Sequence, residues 1–143
     1  MSLTPTDLLE MSREELDDLF RASPTGPIPP GRGQGTAIFW PDTAISPAAA
    51  RLIRRLAWQG KVVDPVRGEL RNAIGPIGLL AIRAKVYAGA SWLDDQPAVI
   101  IDYRETSKVA HWVRDEIRSI GPGLYLGLVF WGRSRILHFS LQF

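Results

Sequence analysis

The 143-residue sequence contains no cysteine. This absence excludes a disulfide framework, a thiolate nucleophile and a zinc–thiolate site. Histidine is scarce as well, because His111 and His138 are the only imidazoles in the chain. On a helix, His111 and Asp115 would be close enough to share a metal, but the sequence offers no evident third ligand. We therefore expect no metal site.

Long apolar runs and an excess of one charge are also missing. No stretch approaches the roughly 20 apolar residues of a membrane span, and the N-terminus lacks a basic segment followed by an apolar core. Lys and Arg total 17 against 15 Asp and Glu, without the basic stripe that neutralises phosphates. We expect a soluble cytoplasmic protein that contacts neither nucleic acid nor membrane. Its length predicts a single domain, residues 1–143. A homodimer is left open as a further expectation.

Strand patterns are the main positive signal. Apolar and polar residues alternate through residues 79–88 and 135–143, whereas 98–103 and 124–131 are apolar runs rich in β-branched and aromatic residues. Both patterns are typical of strands. The Gly- and Pro-rich turns between them predict a mainly β (α+β) fold, in which six to eight antiparallel strands form a barrel over residues 36–143. A barrel of about eight strands has room for side chains or one small ligand.

Helices are predicted before and within the barrel. Residues 1–22 carry two helix starts, Thr4-Pro5 and the capping box Ser-Arg-Glu-Glu at 12–15. Residues 23–35 are too rich in Pro and Gly for regular structure and predict a loop. A Ser-Pro start followed by an apolar stripe predicts a helix at 46–58.

Residues 108–120 have a pattern of their own. Apolar residues spaced by three and four predict a helix there, namely Val109, Trp112, Val113, Ile117 and Ile120. On that helix Glu116 faces the apolar side, where desolvation would raise its pKa and suit it to proton transfer. A simpler role for Glu116 is an ion pair with an arginine such as Arg83. If the segment is a strand, Asp115 instead shares a face with Val113 and Ile117.

Three short motifs carry a family resemblance: Trp58-x-Gly-Lys61, Asp102-Tyr103 and Pro122-Gly-Leu-Tyr-Leu-Gly127. In these the chain resembles small bacterial proteins with lipocalin-like, or calycin-like, β-barrels, from about Gly35 to the C-terminus. The resemblance implies a barrel around a small, mostly apolar molecule. It implies no cofactor and transfers no catalytic residue.

Six side chains are candidate ligand contacts: Trp58, Lys61, Tyr87, Tyr103, Glu116 and Tyr125. Tyr103 lies on the same predicted strand face as Val99 and Ile101, where its ring suits an apolar lumen and its hydroxyl can bond a ligand. Lys61 would neutralise an acidic ligand at the barrel mouth. Each residue also has an ordinary explanation, as a core ring or a solvated charge.

Two functions follow from these candidates. The first is binding of a small hydrophobic or amphipathic molecule inside the barrel. The second is a cofactor-independent isomerase, cyclase or dehydratase, for example in natural-product biosynthesis, with Glu116 as acid/base and Tyr103 or Tyr125 orienting the substrate. A third function is that of an interaction protein whose N-terminal helix and Pro/Gly linker dock a partner.

Overall fold

In the computed structural model the chain forms a closed β-barrel preceded by two short helices. The structure describes residues 2–40, 58–75, 79–108 and 110–143. The helices are α1 (Pro5–Leu9) and α2 (Arg13–Ala22). The strands are β1 (Gly31–Ile38), β2 (Gly60–Asp64), β3 (Glu69–Ile74), β4 (Leu79–Ala90), β5 (Pro97–Asp102), β6 (Val113–Gly121), β7 (Leu124–Trp131) and β8 (Ser134–Gln142). The helix predicted at 46–58 falls outside the described residues except for Trp58.

The strands follow one another around the barrel in sequence order. Each pairs antiparallel with the next, and β1 closes the barrel against β8. Closure pairs the strands that would otherwise be sheet edges, and therefore protects them from edge-to-edge association. The prediction of an antiparallel barrel of six to eight strands is confirmed, since the described residues contribute eight strands to the closed barrel.

Both N-terminal helices begin at the predicted capping residues. Thr4 Oγ1 accepts a hydrogen bond from Asp7 N–H at 3.3 Å, and Ser12 Oγ accepts one from Glu15 N–H at 3.0 Å. The Asp7 and Glu15 carboxylates accept the cap N–H groups in return. These bonds satisfy backbone donors that the start of a helix leaves unpaired, so the local sequence alone specifies where each helix begins.

Apolar clusters cover both faces of the barrel wall. The lumen cluster of apolar residues consists of Val63, Leu70, Ala84, Val86, Val99, Ile101, Tyr103, Ile117, Tyr125, Leu137, Phe139 and Leu141. The outer cluster consists of Leu8, Leu16 and Phe20 from the helices with Ile38, Ala98, Ile100, Leu126, Leu128 and Phe130. Strands β5 and β7 are thus buried on both faces, which explains why their sequences are continuous apolar runs.

The helix predicted at 108–120 is wrong, because β6 occupies Val113–Gly121. This strand is also covered on both sides: Ile117 belongs to the lumen cluster, while Glu116 and Arg118 are buried on the outer face. In a half-exposed strand the charged residues face the solvent. In β6 they form ion pairs and are buried. The two-residue alternation of a strand is therefore hidden, and the remaining apolar spacing matches a helix.

The loop predicted at 23–35 is wrong from Gly31 onward, where β1 begins. Its glycines make room for aromatic rings that lie across the strand. A Cβ atom on Gly33 would come within 2.5 Å of the Phe143 ring, and one on Gly35 within 2.4 Å of the Trp58 ring. Glycine in a strand often marks such a close approach, so the composition that suggested a loop reflects packing inside the barrel.

Asp17, on α2, joins the helices to the barrel through His138 on β8. His138 donates from Nε2 to Asp17 Oδ1 at 2.9 Å and accepts at Nδ1 from Trp40 Nε1–H at 2.7 Å. Burial lowers the pKa of His138. Burial alone would raise the pKa of Asp17, but hydrogen bonds from His138 and Arg135 hold it below its usual value. The contact therefore favours neutral His138 and ionised Asp17.

Acidification is expected to reduce the contribution of this contact to the stability of the fold in two stages. Because the pKa of His138 is lower in the folded chain, its contribution to stability is complete above about pH 6.5 and is lost as the pH falls below that value. The lowered pKa of Asp17 adds a second loss below about pH 4. Denaturant unfolding between pH 8 and pH 3 should show the first loss in the wild type but not in His138→Gln. Parallel curves for the two proteins would contradict this assignment.

Candidate functional site

The register of β6 decides which of its carboxylates faces the lumen. Residues directly opposite each other on adjacent strands point to the same face of a sheet. Asp115 lies opposite Ile101 of β5 and Val129 of β7, whereas Glu116 lies opposite Ile100, a member of the outer cluster. Asp115 and Ile101 are both buried on the lumen side. The lumen carboxylate is therefore Asp115, as the strand alternative predicts.

Glu116 does not line the lumen, so its expected place there is wrong. Its Oε1 accepts from the Ser91 hydroxyl at 2.5 Å, and its Oε2 accepts from the backbone N–H of Trp92 at 2.8 Å and from Arg114 Nη2 at 3.1 Å. The arginine partner is Arg114 rather than Arg83, which pairs with a carboxylate on β3. Glu116 is fully buried, and its bonds hold the turn after β4 against β6.

A cavity of about 230 Å³ occupies the end of the lumen where β6 and β8 begin and β7 ends. Most of its wall is apolar. The apolar lining residues are Ala37, Trp58, Ile74, Ile82, Ala110, Val113, Val129, Trp131, Ile136, Leu137 and Phe139. Trp131 is 51 % exposed although it lines the cavity, so the cavity reaches the protein surface beside this ring. The volume exceeds the roughly 150 Å³ of an apolar cavity that accepts benzene.

Four polar side chains complete the cavity wall: Lys61, Asn72, Tyr103 and Asp115, which we call the polar cluster. Lys61 Nζ lies 3.0 Å from Asp115 Oδ2 and donates to the Tyr103 hydroxyl at 2.7 Å and to Asn72 Oδ1 at 2.8 Å. The Tyr103 hydroxyl donates to Asp115 Oδ2 at 3.3 Å. Lys61 and Asp115 are each only 3 % exposed. Because β2 and β6 lie on opposite sides of an eight-strand barrel, this ion pair crosses the lumen.

Aromatic rings surround the buried ammonium of Lys61. Its Nζ lies 5.4–5.5 Å from the ring centroids of Trp58, Tyr103 and Phe139, within the range of cation–π attraction. Phe139 lies over Gly127, where a Cβ atom would come within 2.2 Å of its ring. The missing side chain at Gly127 therefore leaves the space that Phe139 fills beside the cavity.

The protonation of the polar cluster follows from burial and from the ion pair. Burial raises the pKa of Tyr103 to about 12, so its hydroxyl is a neutral group at physiological pH. Burial alone would lower the pKa of Lys61, but Asp115 and Tyr103 raise it above its usual value. Burial raises the pKa of Asp115, and Lys61 opposes part of that rise. A charged lysine is thus held inside an apolar barrel by a carboxylate that faces it.

The predicted ligand contacts separate into two groups. Trp58, Lys61 and Tyr103 line the cavity together. Tyr125 lies in the lumen away from the cavity, and its hydroxyl donates to Pro27 O at 2.7 Å. Tyr87 is on the outer surface, where it is 39 % exposed and donates to Asp102. The roles of the first three residues in binding stay predictions.

Asn72 is the member of the polar cluster that was not among the predicted ligand contacts or alternatives. Its Oδ1 accepts from Trp58 Nε1–H at 3.1 Å as well as from Lys61, and its Nδ2 donates to Ile82 O at 3.0 Å. A signal was present, because Asn72 alternates with Leu70 and is therefore a polar residue on the buried face of β3. A buried amide requires partners, which in this barrel are other lumen residues.

The His111–Asp115 pair is absent, because β6 is a strand and Asp115 faces the lumen. The His111 ring instead packs against Trp112, with centroids 4.1 Å apart. Among the residues that the structure describes, no group of three or more His, Asp or Glu side chains is placed to hold a metal. Neither described helix has the length and apolar character that a membrane crossing requires.

Comparison with known proteins identifies a related fold. No family model matches the sequence, and no curated protein matches it. The structure is similar to the crystal structure of a protein from Thermomonospora curvata, with a TM-score of 0.63 and 19 % sequence identity. The alignment covers 93 % of this chain and 88 % of that one. At this identity the likeness concerns the fold alone, so the chain shares its architecture with the Thermomonospora curvata protein over nearly its whole length.

Proposed function

We propose that this protein binds a small, largely apolar molecule inside its barrel. The observation that carries the proposal is a cavity of about 230 Å³ whose apolar wall is interrupted by one buried polar cluster. Ligand pockets typically combine such a wall with a few converging polar groups that orient the ligand. The resemblance to lipocalin-like proteins supports the same function.

The position of the polar groups also supports binding. A core that served stability alone would gain little from Lys61 and Asp115, since a buried ion pair is often no more stabilising than apolar side chains of similar volume. Here the ion pair is part of the cavity wall. Recognition of a ligand there would offset the free-energy cost of burying the two charges. Trp131 lies at the surface end of the same cavity, so a ligand that enters there would contact its apolar ring.

The first experiment is native mass spectrometry of the protein from its own host, followed by extraction of any bound small molecule. A copurified apolar compound would support binding and provide the ligand for the next step. Val129→Phe, which fills the lumen, is expected to reduce affinity for that compound or for naphthalene at least tenfold, by removing the space they occupy. Val66→Phe, at a site 96 % exposed, is the matched control and should bind normally. Equal binding by both variants would contradict a lumen site.

A cofactor-independent enzyme that uses the same lumen is the second candidate. The observation that favours it is a buried carboxylate with a raised pKa, Asp115, beside the Tyr103 hydroxyl. This pair replaces the predicted pair of Glu116 and Tyr103, and Asp115 would act as the base. Incubating the extracted ligand with the wild type and with Asp115→Asn tests this candidate. Conversion by the wild type that falls about a hundredfold in the variant supports it, and an unchanged ligand contradicts it.

A further inference from the structure

The hydrogen bonds of the polar cluster specify which chemical group a ligand must present. Lys61 has three ammonium hydrogens, and three acceptors face them: Asn72 Oδ1, the Tyr103 hydroxyl and Asp115 Oδ2. The Tyr103 hydroxyl hydrogen is directed to Asp115 Oδ2. The charge of Lys61 is therefore directed at groups of the protein itself.

The orientation of the Asn72 amide is fixed by its neighbours. Trp58 Nε1–H and Lys61 are donors only, and both face the oxygen of the amide. The nitrogen faces Ile82 O and the Tyr103 hydroxyl, at 3.0 and 2.9 Å. Ile82 O accepts only, so the reverse orientation would place like groups together. Every polar hydrogen of the Asn72, Lys61, Tyr103 and Trp58 side chains thus has an acceptor within the protein.

Asp115 Oδ1 is different. It is buried, it belongs to a side chain that lines the cavity, and it has no hydrogen-bond partner among the described residues. The other carboxylate oxygen, Oδ2, pairs with Lys61 and accepts a hydrogen bond from Tyr103. Both interactions stabilise the ionised form of Asp115. A protonated Asp115 would leave the Lys61 ammonium without a countercharge in an apolar lumen, which is costly. The cluster is therefore neutral overall, and it contains one acceptor, Asp115 Oδ1, that has no donor among the described residues.

We infer that the ligand is an uncharged, largely apolar molecule with a hydroxyl or N–H group that donates a hydrogen bond to Asp115 Oδ1. This inference rests on the proposed binding function. It replaces the expectation that Lys61 recognises an acidic ligand, because Asp115 already balances the lysine charge. An anionic ligand would bring its charge next to an unpaired carboxylate oxygen, which is repulsive. A ligand that fills the cavity without donating leaves this oxygen unsatisfied.

A matched set of bicyclic probes tests the inference: 2-naphthol, 2-methoxynaphthalene, naphthalene and 2-naphthoate. Their affinities for the wild type at pH 7 are measured by calorimetry and by Trp fluorescence, since Trp58 lines the cavity. We expect 2-naphthol to bind at least about tenfold more tightly than its methyl ether, which has the same rings but no donor. The carboxylate, 2-naphthoate, is expected to bind most weakly. If the ether, the hydrocarbon or the carboxylate binds as tightly as 2-naphthol, the inference is wrong while the binding function stands. If no probe binds, the binding function fails and the inference with it.

Asp115→Asn provides a second test, in which the preference for 2-naphthol is expected to disappear. Lys61 and Tyr103 would hold the amide oxygen at the position of Oδ2, so the NH₂ group would take the position of Oδ1 and donate into the cavity. The oxygens of 2-naphthol and of 2-methoxynaphthalene can both accept from this NH₂ group, so the variant should lose the wild-type preference for 2-naphthol. Glu69→Gln, which neutralises a carboxylate of the exposed Arg83 ion pair, should keep the wild-type order. An Asp115→Asn protein that is folded by circular dichroism and keeps the wild-type order would overturn the assignment. If the Asp115→Asn variant does not fold, the probe affinities of the wild type alone test the inference.

Discussion

Replacing Lys61 with methionine is expected to lower the free energy of unfolding by about 3–5 kcal/mol. Methionine keeps an apolar stem but removes the ammonium that lies 3.0 Å from Asp115 Oδ2 and donates to Asn72 and Tyr103. Asp115 would then be a carboxylate in an apolar lumen without a countercharge. Removing one partner of a buried ion pair costs more than the intact pair contributes, because the remaining charge stays buried. Denaturant unfolding at pH 7 measures the loss.

The loss of unfolding free energy caused by Lys61→Met is expected to be smaller at acidic pH. Burial already raises the pKa of Asp115 beside Lys61, and removal of the ammonium raises it further. A carboxyl whose pKa is higher in the folded chain than in the unfolded chain destabilises the fold at high pH, and stability returns as the folded form takes up a proton. The difference between Lys61→Met and the wild type should therefore narrow from pH 7 to pH 4. A difference that does not change with pH would show that the loss has another cause.

Two further variants control the Lys61 experiment. Lys85→Met removes an ammonium that pairs with Glu105 on the exposed surface, and it should leave the unfolding free energy close to that of the wild type. Lys61→Met combined with Asp115→Leu removes both buried charges and should recover much of the loss. A double variant that is no more stable than Lys61→Met would indicate that packing, and not the unpaired charge, sets the cost.

Replacing Arg118 with methionine is expected to cost a similar 3–5 kcal/mol. Arg118 is 1 % exposed on the outer face of β6, and its guanidinium pairs with Asp94 through two hydrogen bonds of 2.8 and 2.7 Å. The same group donates to the carbonyls of Phe20, Pro97 and Gln96. One side chain thus joins β6 to the turn before β5 and to the C-terminal end of α2. Its loss leaves the buried Phe20 carbonyl and the partly buried Asp94 carboxylate without these donors.

Unfolding in denaturant and limited proteolysis together test the role of Arg118. Arg118→Met should unfold at lower denaturant and become sensitive to cleavage near residues 20–25 and 91–96. Arg118→Lys should recover only part of the stability, since an ammonium cannot form the paired bonds of a guanidinium. Arg83→Met removes a partly exposed pair with Glu69 and is expected to change stability by less than about 1 kcal/mol. Equal stability of the Arg118 and Arg83 variants would contradict the proposed role.

The barrel was predictable because most of its strands carry local signals. Turns rich in Gly and Pro separate runs of β-branched and aromatic residues, and the capping boxes at Thr4 and Ser12 specify the helix starts. Strand β6 was not predictable in this way. Its buried Glu116 and Arg118 have partners that are distant in sequence, at Ser91 and Asp94, and local patterns do not report distant partners.

The candidate site was only partly predictable for the same reason. Lys61 and Tyr103 were singled out from the motifs that contain them, but what they contact depends on strand register across the barrel. A shift of one residue exchanges the lumen face for the outer face, so choosing the wrong period in β6 selected Glu116 in place of Asp115. Asn72 was missed because no motif surrounds it, although its alternation with Leu70 places it on the buried face.

The order of the strands also has a kinetic consequence. Every strand pairing joins neighbours in sequence except β1 with β8, where Gln34 meets Gln142 near the C-terminus. Most consecutive strands are joined by short connections, residues 39–59 between β1 and β2 being the long exception, whereas the last pairing must close all the chain between Ile38 and Ser134. The Lys61–Asp115 pair spans opposite walls and forms only when the sheet has curled. Interactions that form so late have little effect on how fast a chain folds, so we expect this ion pair to act mainly by slowing the opening of the finished barrel.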